Sequence, residues 1–386
     1  MIYITLLDQF HPGIYSSQVI DVCDYLNSKH KANIRIVAFL SIRELMKTNA
    51  RRELKKLSAS AIVLPAFPGL KYFQCTSFLL CLVCLFTGNR IAICRNVFCA
   101  KMALQVKKVG LLKKVIFDGR SAMTAEIMEY DVFPVDYLRK NVSIFESDVV
   151  RNADFRMAVS EQLVNYWRKH FEYQGNNHVV IPCTLDRKYF GNDGFLVSDN
   201  VEELKRDMGI GGNDIVLVYS GSTAPWQSFE LLESIFSGFL QSGKKNKILF
   251  LSKESKDNLR LQQKYPNQVI IKWVNHEKVL SYLQCCDYGI LVREQSDTNL
   301  VASPTKFSEY LNAGLKVLVS KNLGDFSSFV QYHNCGYIIE NKDFDWKKLR
   351  KVELDTKREC FELSKKYFGK ESEINEESYK KLMNFI

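Results

Sequence analysis

Between Ser303 and Ser320 the chain reads SPTKFSEYLNAGLKVLVS, a stretch that combines phosphate chemistry with sugar chemistry. Ser303 is of the type that caps helices, Pro304 suits a first turn where no N–H is needed, and Gly314 suits the left-handed turn that ends a helix. A helix opening there presents unpaired N–H groups and the positive end of its dipole, which together attract an anion. Lys306 adds a charge in the first turn. Glu309 lies one turn further along the same flank and can accept hydrogen bonds from a pair of hydroxyls. An anion site and a diol site one turn apart describe a nucleotide.

Other residues able to do chemistry follow apolar runs. Tyr219–Ser220–Gly221–Ser222–Thr223 leaves a strand through small residues that let backbone N–H groups approach oxygen-rich ligands. Arg293 follows YGILV. In FDGRSAMTAE, Asp118 and Arg120 stand at a strand end and Glu126 in the next helix. Asp118 would orient or deprotonate an acceptor hydroxyl and Arg120 would hold a phosphate; the alternative is a structural Asp–Arg pair capping a helix. Arg95 of ICRN belongs with them. LLDQFHPGIYSSQV sets His11 and Gly13 in a Pro-Gly turn before a helix capped by Ser16 or Ser17, which is an acceptor-facing loop or a plain turn. His276 is expected to cap a helix. The letters Asp343-Phe344-Asp345 match a metal-binding D-x-D, but in a charged late segment.

These residues need strand ends to sit on. Short β-branched runs alternate with helical patterns: IYITLL, IRIVAFL, AIVLPAF, RIAIC, KVIFDG and ADFRMAVS, then DIVLVYSG, NKILFLS, QVIIKWV, YGILV, LKVLVS and GYIIE. The alternation predicts parallel, doubly wound sheets, in which ligands lie beyond the carboxyl ends of the strands. Helices are expected over Ser17–Asn27, Arg43–Leu57 and the apolar run Phe73–Phe86. No G-x-G-x-x-G occurs, and GIGGND precedes a strand instead of following one.

At 386 residues the chain is too long for one ordinary core. The rhythm restarts after HVVIPCTLD, which predicts domains 1–182 and 183–365, with a C-terminal helix over 366–386 packing back on the first. Charge is uneven: residues 1–180 carry 24 Lys and Arg against 15 Asp and Glu (+9), and the rest 29 against 28 (+1). Such an excess favours phosphates or anionic lipid. Its densest part, Lys47 to Lys56 (KTNARRELKK), is a solvated helix face or a contact with an anionic membrane. No zinc pattern, aromatic RNA-binding signature or basic tail points to nucleic acid. Phe73–Phe86 falls short of the roughly 20 residues a membrane span needs and reads as a core helix or one half-sunk in a membrane surface. The chain opens directly on a strand, with no signal peptide, and its eleven cysteines, mostly in apolar runs with one CxxC at Cys81 and Cys84, suit reduced thiols in the cytoplasm and no zinc.

With its motifs assembled, the chain resembles the retaining glycosyltransferases of the GT-B fold, in particular the GT4 family of bacterial surface-polysaccharide enzymes. The resemblance rests on CDYGILVREQSDTNLVASPTKFSEYLNAGLKVLVS and its K-x-x-E-Y-L-x-x-G core, with support from ICRN, DGRS and HVVIPCTLD. It implies two Rossmann-like domains facing across a cleft. A sugar would pass from a nucleotide donor to an acceptor hydroxyl, such as that of a lipid-linked saccharide, with retention, at the inner face of the cytoplasmic membrane. Glu309 would bind the ribose. Ser303, Pro304, Thr305 and Lys306 would border the diphosphate, assisted by Arg293 or by Ser220, Gly221 and Ser222. Asp118, Arg120 and Arg293 would form the catalytic set, and His11, Gly13 and Arg95 the acceptor side. No cofactor or metal is implied, since cations and a helix dipole neutralise the phosphates. Two features depart from the family. Val301 stands where a first glutamate is usual, and STAPWQS lacks the usual bases, which leaves Arg293 and Lys306 as the cations. A sugar-nucleotide epimerase or hydrolase, and a non-catalytic nucleotide-sugar-binding scaffold, are the competing readings.

Overall fold

The computed structural model describes residues 1–7, 10, 12–47, 49–67, 70–130, 136–191, 195–221, 227–340 and 344–386; at positions 7, 12, 14, 47 and 70 it describes the backbone alone. The chain divides into two compact units, one of Met1–Pro182 with Asn375–Ile386, the other of Cys183–Ile374.

The first unit holds a parallel sheet of seven strands: β1 (Ile2–Leu7), β2 (Arg35–Ser41), β3 (Ile62–Ala66), β4 (Ile91–Arg95), β5 (Lys114–Gly119), β6 (Phe155–Ala158) and β7 (His178–Val180). Their order is β3-β2-β1-β4-β5-β6-β7. These strands are short runs of Ile, Val, Phe and Ala because helices cover both faces, which buries the inner positions of the central strands. The strand order reverses direction between β1 and β4, and β4 sets Arg95 opposite Asp118 of β5. The C-terminal helix Glu373–Phe385 completes this core: Tyr379 packs on Tyr25 at 5.0 Å and Phe385 stacks on Phe155 at 4.8 Å. Helix Leu354–Phe368 runs through position 366, and the chain enters the first unit only at Asn375, further along than the division at 365/366.

The second unit holds β8 (Ile215–Ser220), β9 (Asn246–Leu251), β10 (Val269–Lys272), β11 (Tyr288–Leu291), β12 (Lys316–Ser320) and β13 (Gly336–Ile339). They lie parallel in the order β10-β9-β8-β11-β12-β13, and the reversal falls between β8 and β11. By the rule for open α/β sheets a ligand belongs there, where Ser220–Gly221 and Arg293 emerge.

Local details differ from the sequence expectations. The segment before Ser16 is helical, not a turn: Pro12–Tyr15 starts a helix that continues through a wide turn, Ser16–Ile20, into Asp21–His30. Ser17 therefore lies inside the helical run and not at its N-cap, and its hydroxyl donates to the Gly13 carbonyl at 3.0 Å. Pro12 explains the early start, since its fixed φ suits a first turn. The expected helix Arg43–Leu57 is two helices, Ile42–Lys47 and Ala50–Leu57, with Asn49, a poor helix former, at the cap of the second.

Candidate functional site

The helix predicted after Ser303 spans Thr305–Asn312, with Pro304 at its N-cap. The Ser303 hydroxyl does not cap it. Instead it accepts the backbone N–H of Cys183 at 3.2 Å, because Pro304 occupies the position from which a side chain reaches the first turn. Gly314 does end the helix, at φ +79°. The inner flank is fixed by packing: Phe307 stacks on Phe326 at 4.1 Å, and the Ser364 hydroxyl donates to the Ser308 carbonyl at 3.0 Å. Tyr310 accepts the N–H of Ser220 at 3.0 Å, which ties the helix to the end of β8. The outer flank carries Lys306 and Glu309.

Lys306 reaches over the end of β8. Its Nζ donates to Gln227 Oε1 at 3.3 Å and lies 4.8 Å from the centre of the Tyr219 ring. It passes across Gly221, whose φ is +138°; a Cβ there would meet Nζ at 2.2 Å. That backbone favours glycine, and a Cβ would displace the end of the Lys306 side chain. Protein surrounds the ammonium closely although its edge is open, and burial, then the charge of Arg293, lowers it to about 7. Arg293 is itself buried, with its N–H on Ser320 Oγ at 3.2 Å and Nη1 on Asn299 Oδ1 at 3.3 Å. Burial also raises Glu309 above the ordinary carboxylate range, against the pull of His276 and Lys306. His276 thus lies near enough to act on Glu309, and the cap of its short turn is Asn275, without a side-chain bond. Val301 is wholly buried, in the core and not on the rim.

On the corresponding rim of the first unit an acid lies beside an arginine. The Asp118 side chain is 1% exposed. Its Oδ2 accepts the hydroxyl of Tyr3, and its Oδ1 pairs with Arg120 Nε at 2.8 Å. Arg95 donates through Nη2 to Gln18, which the wide turn Ser16–Ile20 presents. Beneath Arg120, Ser121 donates to Glu126 at 2.8 Å, and Glu146, reaching across from helix Asp136–Asn152, accepts the N–H groups of Met123 and Thr124 and the Thr124 hydroxyl. Burial raises both acids, Glu146 to about 7. Gly13 is exposed in its helix.

The structure therefore brings Ser220, Gly221, Arg293, Lys306 and Glu309 to one rim, and Arg95, Asp118 and Arg120 to another. His11, Ser222, Thr223 and Asp343 lie outside the described residues. Among those described, no cluster of His, Cys, Asp and Glu has the arrangement of a metal site. Sequence reasoning missed Gln227, Tyr3, Gln18 and Glu146. Tyr3 had a signal, as the one aromatic in strand β1; the others are polar residues at ordinary positions.

No family model matches the chain, and neither does any curated protein sequence. Solved structures match along its whole length. HepE of Anabaena, in complex with UDP, aligns with TM-score 0.70 at 12% identity over 100% of both chains. A glycosyltransferase of Rickettsia africae aligns with TM-score 0.70 at 13% identity, over 100% of this chain and 97% of that one. WaaG, a glycosyltransferase involved in lipopolysaccharide biosynthesis, aligns with TM-score 0.66 at 10% identity, over 100% and 99%. The fold is that of the GT-B glycosyltransferases.

Proposed function

We propose that the chain is a nucleotide-sugar glycosyltransferase of the retaining, GT4-like kind. The observation that carries this reading is Lys306: a desolvated ammonium whose hydrogen bond goes to a neutral amide, beside the buried guanidinium of Arg293, at the strand-order reversal and the start of a helix. Two desolvated cations on one rim repel each other, and an external diphosphate relieves that repulsion. Glu309, one turn along, takes the ribose hydroxyls. The neighbour crystallised with UDP supports the same ligand class.

As the glycosidic bond breaks, negative charge grows on the leaving diphosphate. Lys306, Arg293 and the first N–H groups of helix Thr305–Asn312 stabilise that charge more in the transition state than in the bound donor, and no metal is needed for this role. Arg120, held by Asp118, is oriented toward the acceptor side. The acceptor is a lipid-linked saccharide at the inner face of the cytoplasmic membrane, for surface polysaccharide synthesis; the basic segment Lys47–Lys56 adds attraction to anionic lipid.

A second reading, a nucleotide-sugar binder without transfer, is favoured by two observations: Asp118 has both oxygens engaged, and Val301 places no acid on the rim. Thermal-shift screening of UDP-, GDP-, ADP- and CMP-sugars tests donor binding, because a ligand of the native state raises its apparent stability. One class should raise the melting temperature, and Glu309→Ala should abolish most of that rise; no response to any class refutes the donor site. Transfer across an acceptor panel then separates the readings. Donor binding without turnover means a binder, and nucleotide release without acceptor means an epimerase or hydrolase.

A further inference from the structure

Helix Phe73–Thr87 (FQCTSFLLCLVCLFT) contains no Lys, Arg, Asp, Glu or His along a length of about 22 Å. Its inner side is consumed by the first unit: Phe73 packs on Phe98 and Phe145, Leu80, Val83 and Cys84 are buried, and Ser77 donates to Gln105 of the neighbouring helix. Its outer side is equally apolar and open, with Phe78 68% exposed, Leu85 60% and Phe86 86%. Soluble surfaces rarely leave such residues together. Phe67 and Tyr72 extend the exposed strip on the approach to the helix, and Met46, 81% exposed, lies on helix Ile42–Lys47. Both helices pack on β3, which is an edge strand.

Charge indicates what covers this edge. Residues 42–90 hold eight Lys and Arg against two Glu, a net +6 out of +10 for the whole chain. Lys71 and Arg90 flank the apolar helix and are exposed, and Lys71 lies over the Tyr72 ring at 4.8 Å. Aromatic and aliphatic residues between basic ones match the boundary of an anionic bilayer, where apolar side chains enter the acyl layer and cations meet headgroups. A second copy of this edge would bring like charges together. Pro65, exposed in β3, also removes a donor that strand-to-strand pairing would use. No described helix is long and apolar enough to cross a membrane, so the contact is one of lying on the surface.

We propose that the outer face of helix Phe73–Thr87, with Met46, Phe67 and Tyr72, inserts into the headgroup region of an anionic membrane, and that helix Ala50–Leu57 supplies only long-range attraction. In the latter helix Ala50 and Leu54 are buried and the outward side is charged. This deepens the lipid-linked acceptor reading and rests on it for its purpose, but it is measured without donor or acceptor. The test is flotation with vesicles of phosphatidylcholine containing about one-third phosphatidylglycerol, set against phosphatidylcholine alone. Wild type should float with the anionic vesicles, and Phe78→Ser/Leu85→Ser/Phe86→Ser should bind them at least tenfold more weakly while keeping its melting temperature. Phe86→Trp should show blue-shifted emission on vesicles and quenching by brominated acyl chains. The proposal is overturned if wild type does not bind, if the triple variant binds as wild type, if Phe86→Trp emission does not shift, or if wild type is a dimer that the triple variant dissociates. Failure of nucleotides to shift melting would sink the donor site and leave these results unchanged.

Discussion

Two rims built on the same kind of sheet differ in one respect: the first pairs an arginine with a carboxylate. At the ends of β4 and β5, Arg120 has an acid of its own rim, Asp118, while Arg95, like Lys306, has a neutral side-chain amide, that of Gln18. At the ends of β8 and β11, Lys306 donates to the side-chain amide oxygen of Gln227, and Glu309, whose charge acts on it, stays above its usual pKa range. A desolvated cation that the fold leaves unneutralised is unfavourable unless something arrives to pair with it. On the proposed reading, the first rim holds Arg120 on Asp118, and the second offers Lys306 to an anionic ligand.

That contrast can be broken most severely at Asp118. Asp118→Asn leaves Arg120 without its counter-charge and should lower unfolding free energy by about 3–5 kcal/mol in denaturant titration. Donor affinity should stay within about twofold, because the second unit keeps its cations. A large loss of donor affinity would mean the two rims are not independent. Next in size, Lys306→Met should weaken sugar-nucleotide binding by roughly 10–100-fold, as expected for a charge-assisted hydrogen bond, with stability unchanged or raised because a desolvated charge is removed. Calorimetric titration separates this from a structural role, in which stability would fall with affinity.

Gly221→Ala sharpens the comparison further. Its Cβ would take the space of Lys306 Nζ at a backbone angle that alanine avoids, so donor affinity should fall by about tenfold if the lysine is pushed off its position. The same substitution at exposed Gly13, where nothing crowds a Cβ, should leave donor affinity unaltered. The smallest effect belongs to Glu309→Gln, which keeps one acceptor oxygen and should weaken binding by only several-fold. Ribose and deoxyribose nucleotides should then differ less than they do with wild type.

Much of this was legible beforehand because its causes are local. The strands among the described residues follow from short β-branched runs, and the turn at Gly314 from the residue that tolerates it. Lys306 and Glu309 were readable because helix periodicity alone puts them on one flank. Partners distant in sequence were not readable. Gln227 lies 79 residues from Lys306, and Tyr3 lies 115 from Asp118. Their pairing is decided by strand order, which puts β1 between β2 and β4. The Ser303 hydroxyl misled for the related reason that Cys183, 120 residues earlier, competes for it. The outer face of helix Phe73–Thr87 was ambiguous because an unbroken apolar run has no periodicity to separate an inner side from an outer one.

The central claim, that Lys306 waits for a diphosphate, predicts a proton. With its amine lowered to about 7, Lys306 is mostly neutral at pH 8, and a bound diphosphate restores its charge. Affinity for a sugar nucleotide, whose diphosphate charge is constant in this range, should be greatest below pH 7 and decline as pH rises. Calorimetry of binding near pH 8, in buffers of different ionisation enthalpy, should register uptake of most of a proton per donor bound by wild type and none by Lys306→Met. Binding without proton uptake, or with the same uptake in the variant, would contradict the account.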